Sequence, residues 1–229
     1  MEIRIFADAA TVAAEAAQVI AAEGRGAVAA RGRFSLAVSG GQTPWQMLRA
    51  LAREDLAWGK VYVMQVDERV APPGSPERNL THLRDTLFAH VPLPPRNICA
   101  MPVDSPDLEA AARQYAICLQ EIAGAPPVLD LVHLGLGPDG HTASMVPGDP
   151  VLEVTEADVA LTQPYQGRRR MTLTYPALNR ARRILWVVTG AEKADMLWRL
   201  RDGDVTLPAG FVRRDQALLL ADRAAAARL

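Results

Sequence analysis

The chain has little of several features that mark common classes of protein. Among 229 residues only Cys99 and Cys118 are cysteines, without a CxxC motif, which argues against a disulfide scaffold or a zinc site and fits a reducing cytoplasm. The net charge is −1, from 25 basic and 26 acidic residues, so the basic footprint of a nucleic-acid-binding protein is missing. No apolar run reaches the roughly 18 residues of a membrane span, and the N-terminus does not read as a signal peptide. We therefore expect a soluble cytoplasmic protein without nucleic-acid or membrane partners.

Several catalytic signatures are also missing. The sequence contains no GxxxxGK[ST] phosphate loop and no GxGxxG dinucleotide fingerprint. It contains no GxSxG nucleophile and no HExxH metal motif, and Cys99 and Cys118 have no convincing histidine partner. Covalent or metal-assisted chemistry therefore has little support, and we expect neither a metal nor an organic cofactor.

What is present is an alternation of apolar strands with helices of 10 to 15 residues. Hydrophobic residues make up 49% of the chain and charged residues 22%, which is enough for a substantial core. The pattern predicts an α/β fold with a mostly parallel sheet flanked by helices, in one domain over residues 1–229. The predicted strands are Ile3–Ala7, Phe34–Ser39, Val61–Asp67, Asn97–Met101, Leu129–Gly135, Met171–Tyr175, Arg183–Thr189 and Ala217–Ala221. The predicted helices are Ala9–Ala22, Trp45–Arg53, Glu77–Ala89, Asp107–Ile122 and Ala191–Arg201, with Asp8 and Thr43 as N-caps and Pro44 in the first helical position.

Distinctive polar residues follow four of these strands, which end at Ser39, Asp67, Gly135 and Gly190. Because the carboxyl ends of parallel strands meet at one edge of a sheet, the four segments should converge on one cleft.

The strongest candidate for chemistry is Leu129–Pro147, an apolar strand that breaks at glycines and then presents Asp139, Gly140 and His141. An imidazole two residues after a carboxylate is suited to acid–base catalysis near neutral pH. We interpret His141 as a base that activates water. Either Asp139 or Asp67 could orient the imidazole, and Arg69 with loop N–H groups could stabilise an oxyanion.

A second group of residues predicts an anion site, with phosphate as the natural ligand. Glycines, hydroxyl groups and a helix N-terminus come together in Ser39, Gly40, Gly41, Gln42 and Thr43. Lys193, in the first helical turn after Gly190, could reach the same anion. Alternatively, Lys193 is solvated, Arg69 pairs with its acidic neighbours, and the run Arg168–Arg170 forms a solvated face with only one side chain turned inward.

These motifs together resemble the 6-phosphogluconolactonase family, and the resemblance covers nearly the whole chain. The matching segments are SGGQTP at Ser39–Pro44, DERV at Asp67–Val70, GLGPDGHTASMVPG at Gly135–Gly148, RMTLTYPALNRA at Arg170–Ala181 and TGAEK at Thr189–Lys193. The resemblance implies a modified Rossmann-like fold of the sugar-phosphate isomerase/lactonase type, a phosphorylated sugar lactone as substrate, and no cofactor.

The resemblance also implies roles for particular residues. His141 would be the general base, Ser39–Thr43 and Lys193 would hold the phosphate, and Arg69 and Arg170 would contact the substrate. Asp67 and Asp139 would support the catalytic group. The chain has Arg78 where many lactonases have a serine before the asparagine, which leaves the role of Asn79 open.

Two other functions remain as alternatives. The related glucosamine-6-phosphate deaminases also carry a DGH loop, but theirs continues as HIAFNEP, whereas Thr142–Pro147 contains no acid. A non-catalytic sugar-phosphate sensor would need the phosphate loop but not His141. We expect a small-molecule substrate and either a monomer or a homodimer, since the sequence does not distinguish these states.

Overall fold

The computed structural model describes all residues 1–229, which form ten strands and six α-helices. The strands are β1 Glu2–Phe6, β2 Phe34–Val38, β3 Val61–Gln65, β4 Asp67–Arg69, β5 Ile98–Cys99, β6 Leu131–Leu134, β7 Val159–Leu161, β8 Arg170–Leu173, β9 Arg183–Val188 and β10 Ala217–Asp222. The helices are α1 Ala9–Arg31, α2 Gln42–Leu51, α3 Asn79–Thr86, α4 Leu108–Ala123, α5 Tyr175–Arg180 and α6 Ala194–Asp202.

The larger sheet has seven strands, all parallel, in the order β1-β10-β9-β6-β2-β3-β5. Successive residues of β10 show why the inner strands of this sheet are mostly apolar. Leu218 and Leu220 belong to an apolar cluster with α1 and α2, whereas Leu219 and Ala221 belong to a second cluster with α4 and α6. Both faces of the sheet are therefore buried, which confirms the predicted α/β class with a mostly parallel sheet.

The order of the strands places a crevice beside β2. The chain runs outward from β2 to β3 and β5, and then returns to lay β6 along the other side of β2. Ligands of open α/β sheets bind where the strand order reverses in this way, outside the carboxyl ends of the strands. Ser39 and Gly135, which follow β2 and β6, flank this point.

A second, antiparallel sheet corrects the prediction of one strand over Val61–Asp67. The structure ends β3 at Gln65 and places Asp67–Arg69 in the order β4-β8-β7. Val66 connects the two sheets, since its N–H donates to Val38 O at 2.9 Å and its carbonyl accepts from Leu173 N at 2.8 Å. Arg69 and Arg170 therefore lie on a different sheet from β2, the strand that Ser39 follows.

Three further predictions about elements need correction. Helix α1 begins after its Asp8 cap as predicted, but continues to Arg31 instead of Ala22. Gly24 lies inside the helix because Leu56 packs closely against it. A Cβ atom at this position would come within 2.9 Å of Leu56 Cδ2. Strand β8 ends at Leu173, and Tyr175 begins α5, which the sequence did not predict. The helix predicted over Glu77–Ala89 is limited to α3.

The two cysteines are also placed differently from the expectation. Cys99 on β5 and Cys118 on α4 form a disulfide bond, with Cα atoms 6.5 Å apart. The sequence separation gives no sign that the two segments pack together, so the pairing is visible only in the fold. One such bond is not a disulfide scaffold, and the two apolar clusters remain the main source of stability. None of the helices combines the length and the apolar character that crossing a membrane requires.

Candidate active site

A cavity of about 350 Å³ opens at the carboxyl edge of the large sheet. This volume is in the range of small-molecule sites. The structure brings together in its lining all of the predicted site residues except Asp139, which lies behind His141. These lining residues are Ser39, Gly40, Gly41, Gln42, Thr43, Asp67, Arg69, His141, Arg170 and Lys193.

His141 is paired with Asp139 at the edge of the cavity. The distance between His141 Nδ1 and Asp139 Oδ1 is 2.5 Å. Both residues lie in a tight loop, in which Gly137 N donates to His141 O at 2.8 Å and Gly140 adopts a φ of 83°. Of the two carboxylates that the sequence offered for orienting the imidazole, Asp139 makes the contact and Asp67 does not.

The protonation of this pair follows from its surroundings. Burial acts to raise the pKa of Asp139, but the charge of His141 and hydrogen bonds from His141 and Tyr165 outweigh it and lower the pKa below its ordinary value. An ionised carboxylate only accepts hydrogen bonds, so His141 Nδ1 carries the hydrogen. Nε2 is then the basic nitrogen, and no protein group bonds to it.

Gly137 makes room for this pair. A Cβ atom at this position would lie 2.1 Å from His141 Nδ1 and 2.6 Å from Asp139 Oδ1. The backbone can approach the pair this closely only because residue 137 has no side chain.

Asp67 has a different set of partners. Its Oδ2 accepts from Ser144 Oγ at 2.6 Å, and its backbone carbonyl accepts from Asn79 Nδ2 at 2.9 Å. Asn79 Oδ1 in turn accepts a hydrogen bond from the Arg69 side chain at 3.3 Å. The same oxygen lies so close to Gly40 that a Cβ atom on this glycine would be 2.0 Å from it. The sequence left the role of Asn79 open. In the structure Asn79 contacts both Gly40, in the predicted anion-binding segment Ser39–Thr43, and the antiparallel sheet that carries Asp67 and Arg69.

Two arginines lie directly opposite each other on neighbouring strands of the antiparallel sheet. Arg69 on β4 is the direct partner of Arg170 on β8, and both line the cavity. The Arg69 side chain bonds to Glu77 O and Asn79, not to the neighbouring acids. Like charges in this arrangement are destabilising by themselves, so the pair favours an anionic group between them.

Only one residue of the run Arg168–Arg170 lines the cavity. Arg170 is buried, whereas Arg168 forms an exposed ion pair with Glu77 and Arg169 reaches Thr162 O. This arrangement agrees with the choice of Arg170 that the resemblance implied.

The loop after β2 differs from its prediction in one detail. Thr43 is not the N-cap of α2 and Pro44 is not its first residue, because α2 begins at Gln42 with Gly41 as its N-cap and no side chain capping it. The Thr43 hydroxyl instead lies 2.6 Å from that of Thr189, which joins the loops after β2 and β9. The helix terminus is therefore left open to an anion.

Lys193 follows β9 in the same loop as Thr189, which contacts this terminus through Thr43. It ends a short 3-10 turn, Ala191–Lys193, just before α6. Lys193 and the exposed Glu192 both line the cavity. The two loops together therefore present a cation and uncapped N–H groups to the same space.

A histidine outside the predicted set supports the loop after β2. His133 on β6 is fully buried, and its Nδ1 accepts from Ser39 N at 3.3 Å. The Ser39 hydroxyl donates to the backbone carbonyl of His133 at 3.1 Å. Burial lowers the pKa of His133 to about 3, so the ring stays neutral in the folded protein.

Replacing His133 with asparagine is expected to make the free energy of unfolding less dependent on pH. Below about pH 6.5 the unfolded chain binds a proton at His133 that the folded chain excludes. The folded state should therefore lose about 1.4 kcal/mol per pH unit from this residue as the pH falls toward 3. Asparagine keeps an acceptor for Ser39 N but does not titrate. Urea unfolding at several pH values between 7 and 4.5 gives the free energy of unfolding as a function of pH. If this pH dependence were the same in the variant and the wild type, His133 would not be the buried neutral histidine proposed here. His90→Asn, at an exposed residue, is the control.

The sequence did not single out Ser144, Tyr165 or Thr189 as site residues. Ser144 and Thr189 lie within the motifs of the resemblance, so a signal was present. Tyr165 lies in a loop with no motif, and only the fold brings its hydroxyl to 3.1 Å from Asp139 Oδ2. No three His, Cys, Asp or Glu side chains lie close enough together to hold a metal ion.

Comparison with known proteins places this site in a family. A family model described as glucosamine-6-phosphate isomerases/6-phosphogluconolactonase matches residues 7–220. The 6-phosphogluconolactonase of Mycobacterium tuberculosis is 38% identical over 241 aligned positions, which cover 99% of this chain and 98% of the relative. The crystal structure of 6-phosphogluconolactonase from Thermotoga maritima has a TM-score of 0.86 at 26% identity, covering 96% of this chain and 98% of that one.

A structure of a monomeric glucosamine-6-phosphate deaminase has a TM-score of 0.88 at 20% identity, covering 100% of each chain, and at this identity shows a shared fold. The sequence and structural matches agree with the resemblance carried by the motifs and with the predicted fold type. The chain belongs to the glucosamine-6-phosphate isomerase/6-phosphogluconolactonase family.

Proposed function

We propose that this protein hydrolyses 6-phospho-D-glucono-1,5-lactone to 6-phospho-D-gluconate in the oxidative pentose phosphate pathway, with His141 as the general base. The observation that carries the proposal is the short bond between His141 and Asp139, which leaves Nε2 basic beside a cavity lined by three cations. The named 6-phosphogluconolactonase relatives support the choice of substrate.

The proposed reaction begins with the binding of the substrate phosphate. The uncapped terminus of α2, the Thr43 hydroxyl and Lys193 supply hydrogen bonds and positive charge. Arg69 and Arg170 contact the sugar lactone near its carbonyl group. No metal or organic cofactor takes part in the proposed reaction.

Hydrolysis then proceeds through general base catalysis. His141 Nε2 takes a proton from water as the water oxygen bonds to the lactone carbonyl carbon, and the carbonyl oxygen becomes an oxyanion. Arg69 stabilises this oxyanion. When the tetrahedral intermediate collapses, the bond between this carbon and the ring oxygen breaks, and the ring oxygen takes the proton from His141. Asp139 stabilises the imidazolium between the two transfers.

The segment after His141 supports lactone hydrolysis over deamination. The first hydroxyl of this segment, on Thr142, donates to Gly135 O at 2.8 Å, and Ser144 bonds to Asp67. Both side chains therefore hold the loop, and no carboxylate in Thr142–Pro147 can assist ring opening of an amino sugar. The sensor alternative gives no reason for a histidine–aspartate pair beside the cavity.

The test is hydrolysis of freshly generated 6-phosphoglucono-1,5-lactone, followed by acid release or by coupling to 6-phosphogluconate dehydrogenase. Spontaneous opening of the lactone is subtracted from each rate. We expect a rate far above this background. A rate equal to background would overturn the proposal, and ammonia release from glucosamine 6-phosphate would then test the deaminase alternative.

A further inference from the structure

The carboxylate of Asp139 is bound at both of its oxygens. Oδ1 contacts His141 Nδ1, and Oδ2 accepts a hydrogen bond from the hydroxyl of Tyr165 at 3.1 Å. Because an ionised carboxylate only accepts, the tyrosine must be the donor. The rotation of the carboxylate about its Cβ–Cγ bond is therefore restrained from the side away from the imidazole.

The backbone around Tyr165 is itself restrained by a tight turn. Tyr165 and Arg168 exchange backbone hydrogen bonds of 2.9 and 3.2 Å in the loop that joins β7 to β8. The two residues between them, Gln166 and Gly167, have φ values of 52° and 78°. Two successive left-handed residues are typical of a type I′ hairpin turn, whose twist matches that of the strands. The turn thus places Tyr165 at a defined position beside the active-site loop.

The ring of Tyr165 also contacts two residues that line the cavity, Arg170 and His141. The Arg170 guanidinium carbon lies 5.0 Å from the centre of the ring, within the range of a cation–π contact. Gln166 Oε1 accepts from Arg170 at 3.3 Å, so the turn holds this arginine from two sides. The His141 ring meets the tyrosine edge-on, with centroids 5.8 Å apart.

We propose that Tyr165 is a positioning residue of this site, which acts through Asp139 to keep the His141 imidazole in its reactive orientation. This inference rests on the proposed function for its catalytic meaning. The hydroxyl acts on the carboxylate and therefore on turnover, whereas the ring acts on Arg170 and therefore on substrate binding.

The first test separates these two parts of the side chain. Tyr165→Phe removes only the hydroxyl, so kcat for the lactone should fall about 3- to 20-fold with KM unchanged. This is part of the roughly 10- to 100-fold effect of one hydrogen bond to a charged group, because the tyrosine acts on the imidazole only through Asp139. Tyr165→Leu removes the ring as well and should also raise KM. Tyr62→Phe is the control. Tyr62 lies at the start of β3, whereas the site lies at the carboxyl ends of the strands, so both constants should stay unchanged. An unchanged kcat in Tyr165→Phe would overturn the proposal.

The second test asks whether Tyr165 acts through Asp139. If it does, Tyr165→Phe should cause no further loss of kcat in an Asp139→Ala background. A purely structural role would instead give losses that multiply, and that result would overturn the proposal.

A readout independent of turnover keeps this inference distinct from the proposed function. The titration of the Asp139 carboxyl carbon, followed by ¹³C NMR, should move to higher pH in Tyr165→Phe because the ionised form loses a donor. If the wild-type chain hydrolyses no lactone, the proposed function fails, but this titration still reports on Tyr165. An unmoved titration would overturn the link between the two residues.

Discussion

Replacing His141 with alanine is expected to lower kcat for 6-phosphoglucono-1,5-lactone by about 10²- to 10⁴-fold, the usual contribution of a general acid–base group. The variant loses the only nitrogen in the cavity that is both basic and oriented by a carboxylate. KM should change little, because the phosphate and the sugar are held by other residues. Steady-state kinetics with subtraction of spontaneous opening measures the effect.

The control for this variant is His90→Ala. His90 is exposed and bonds only to Asp85 O, so its loss should leave kcat unchanged. Normal turnover by His141→Ala would show that another group activates water, and the proposed mechanism would then be wrong. Retention of the fold is checked by circular dichroism, since His141 also contacts Asp139 in the loop.

Replacing Lys193 with alanine is expected to raise KM for the phosphorylated lactone by about 10- to 100-fold, with a much smaller effect on kcat. A hydrogen bond to a charged group contributes about 1.5–3 kcal/mol, which corresponds to this range. The effect should appear in KM because the phosphate is bound equally in the ground state and the transition state.

The only other lysine, Lys60, provides a matched control. It lies in a 3-10 turn at the start of β3, at the opposite end of that strand from the site, so Lys60→Ala should behave as wild type. A second control is glucono-1,5-lactone without the phosphate, on which Lys193→Ala and wild type should be equally slow. An unchanged KM for the phosphorylated substrate would remove Lys193 from the phosphate site.

The inner strands of the large sheet could be predicted from sequence because burial on both faces makes them largely apolar runs, as in β2 and β9. The extent of α1 could not, since Gly24 reads as a helix breaker unless Leu56 and Phe34 are known to pack against it. The same limit applies to β4. Its three residues pair with β8, about a hundred positions later, and no local pattern encodes that pairing.

The convergence of the site residues could also be predicted, because it follows from a parallel sheet. Parallel strands bring their carboxyl ends to one edge, so the sequence predicts that Ser39 and Lys193 lie near each other even though their contacts are unknown. The choice between Asp67 and Asp139 as the partner of His141 could not be made, because it depends on loop geometry. Tyr165 was beyond sequence reasoning, since it reaches Asp139 through a turn in another sheet.

The pairing of β1 has a consequence for synthesis of the chain. In the large sheet β1 has a single neighbour, β10, which separates it from β9. A ribosome therefore delivers the first strand long before the strand that binds it, and residues Glu2–Phe6 have no place in the sheet until Ala217–Asp222 have emerged. The intervening strands can pair in the meantime, but with the edge of β9 exposed. The large sheet is thus completed only after β10 has emerged, when β1 gains its one partner.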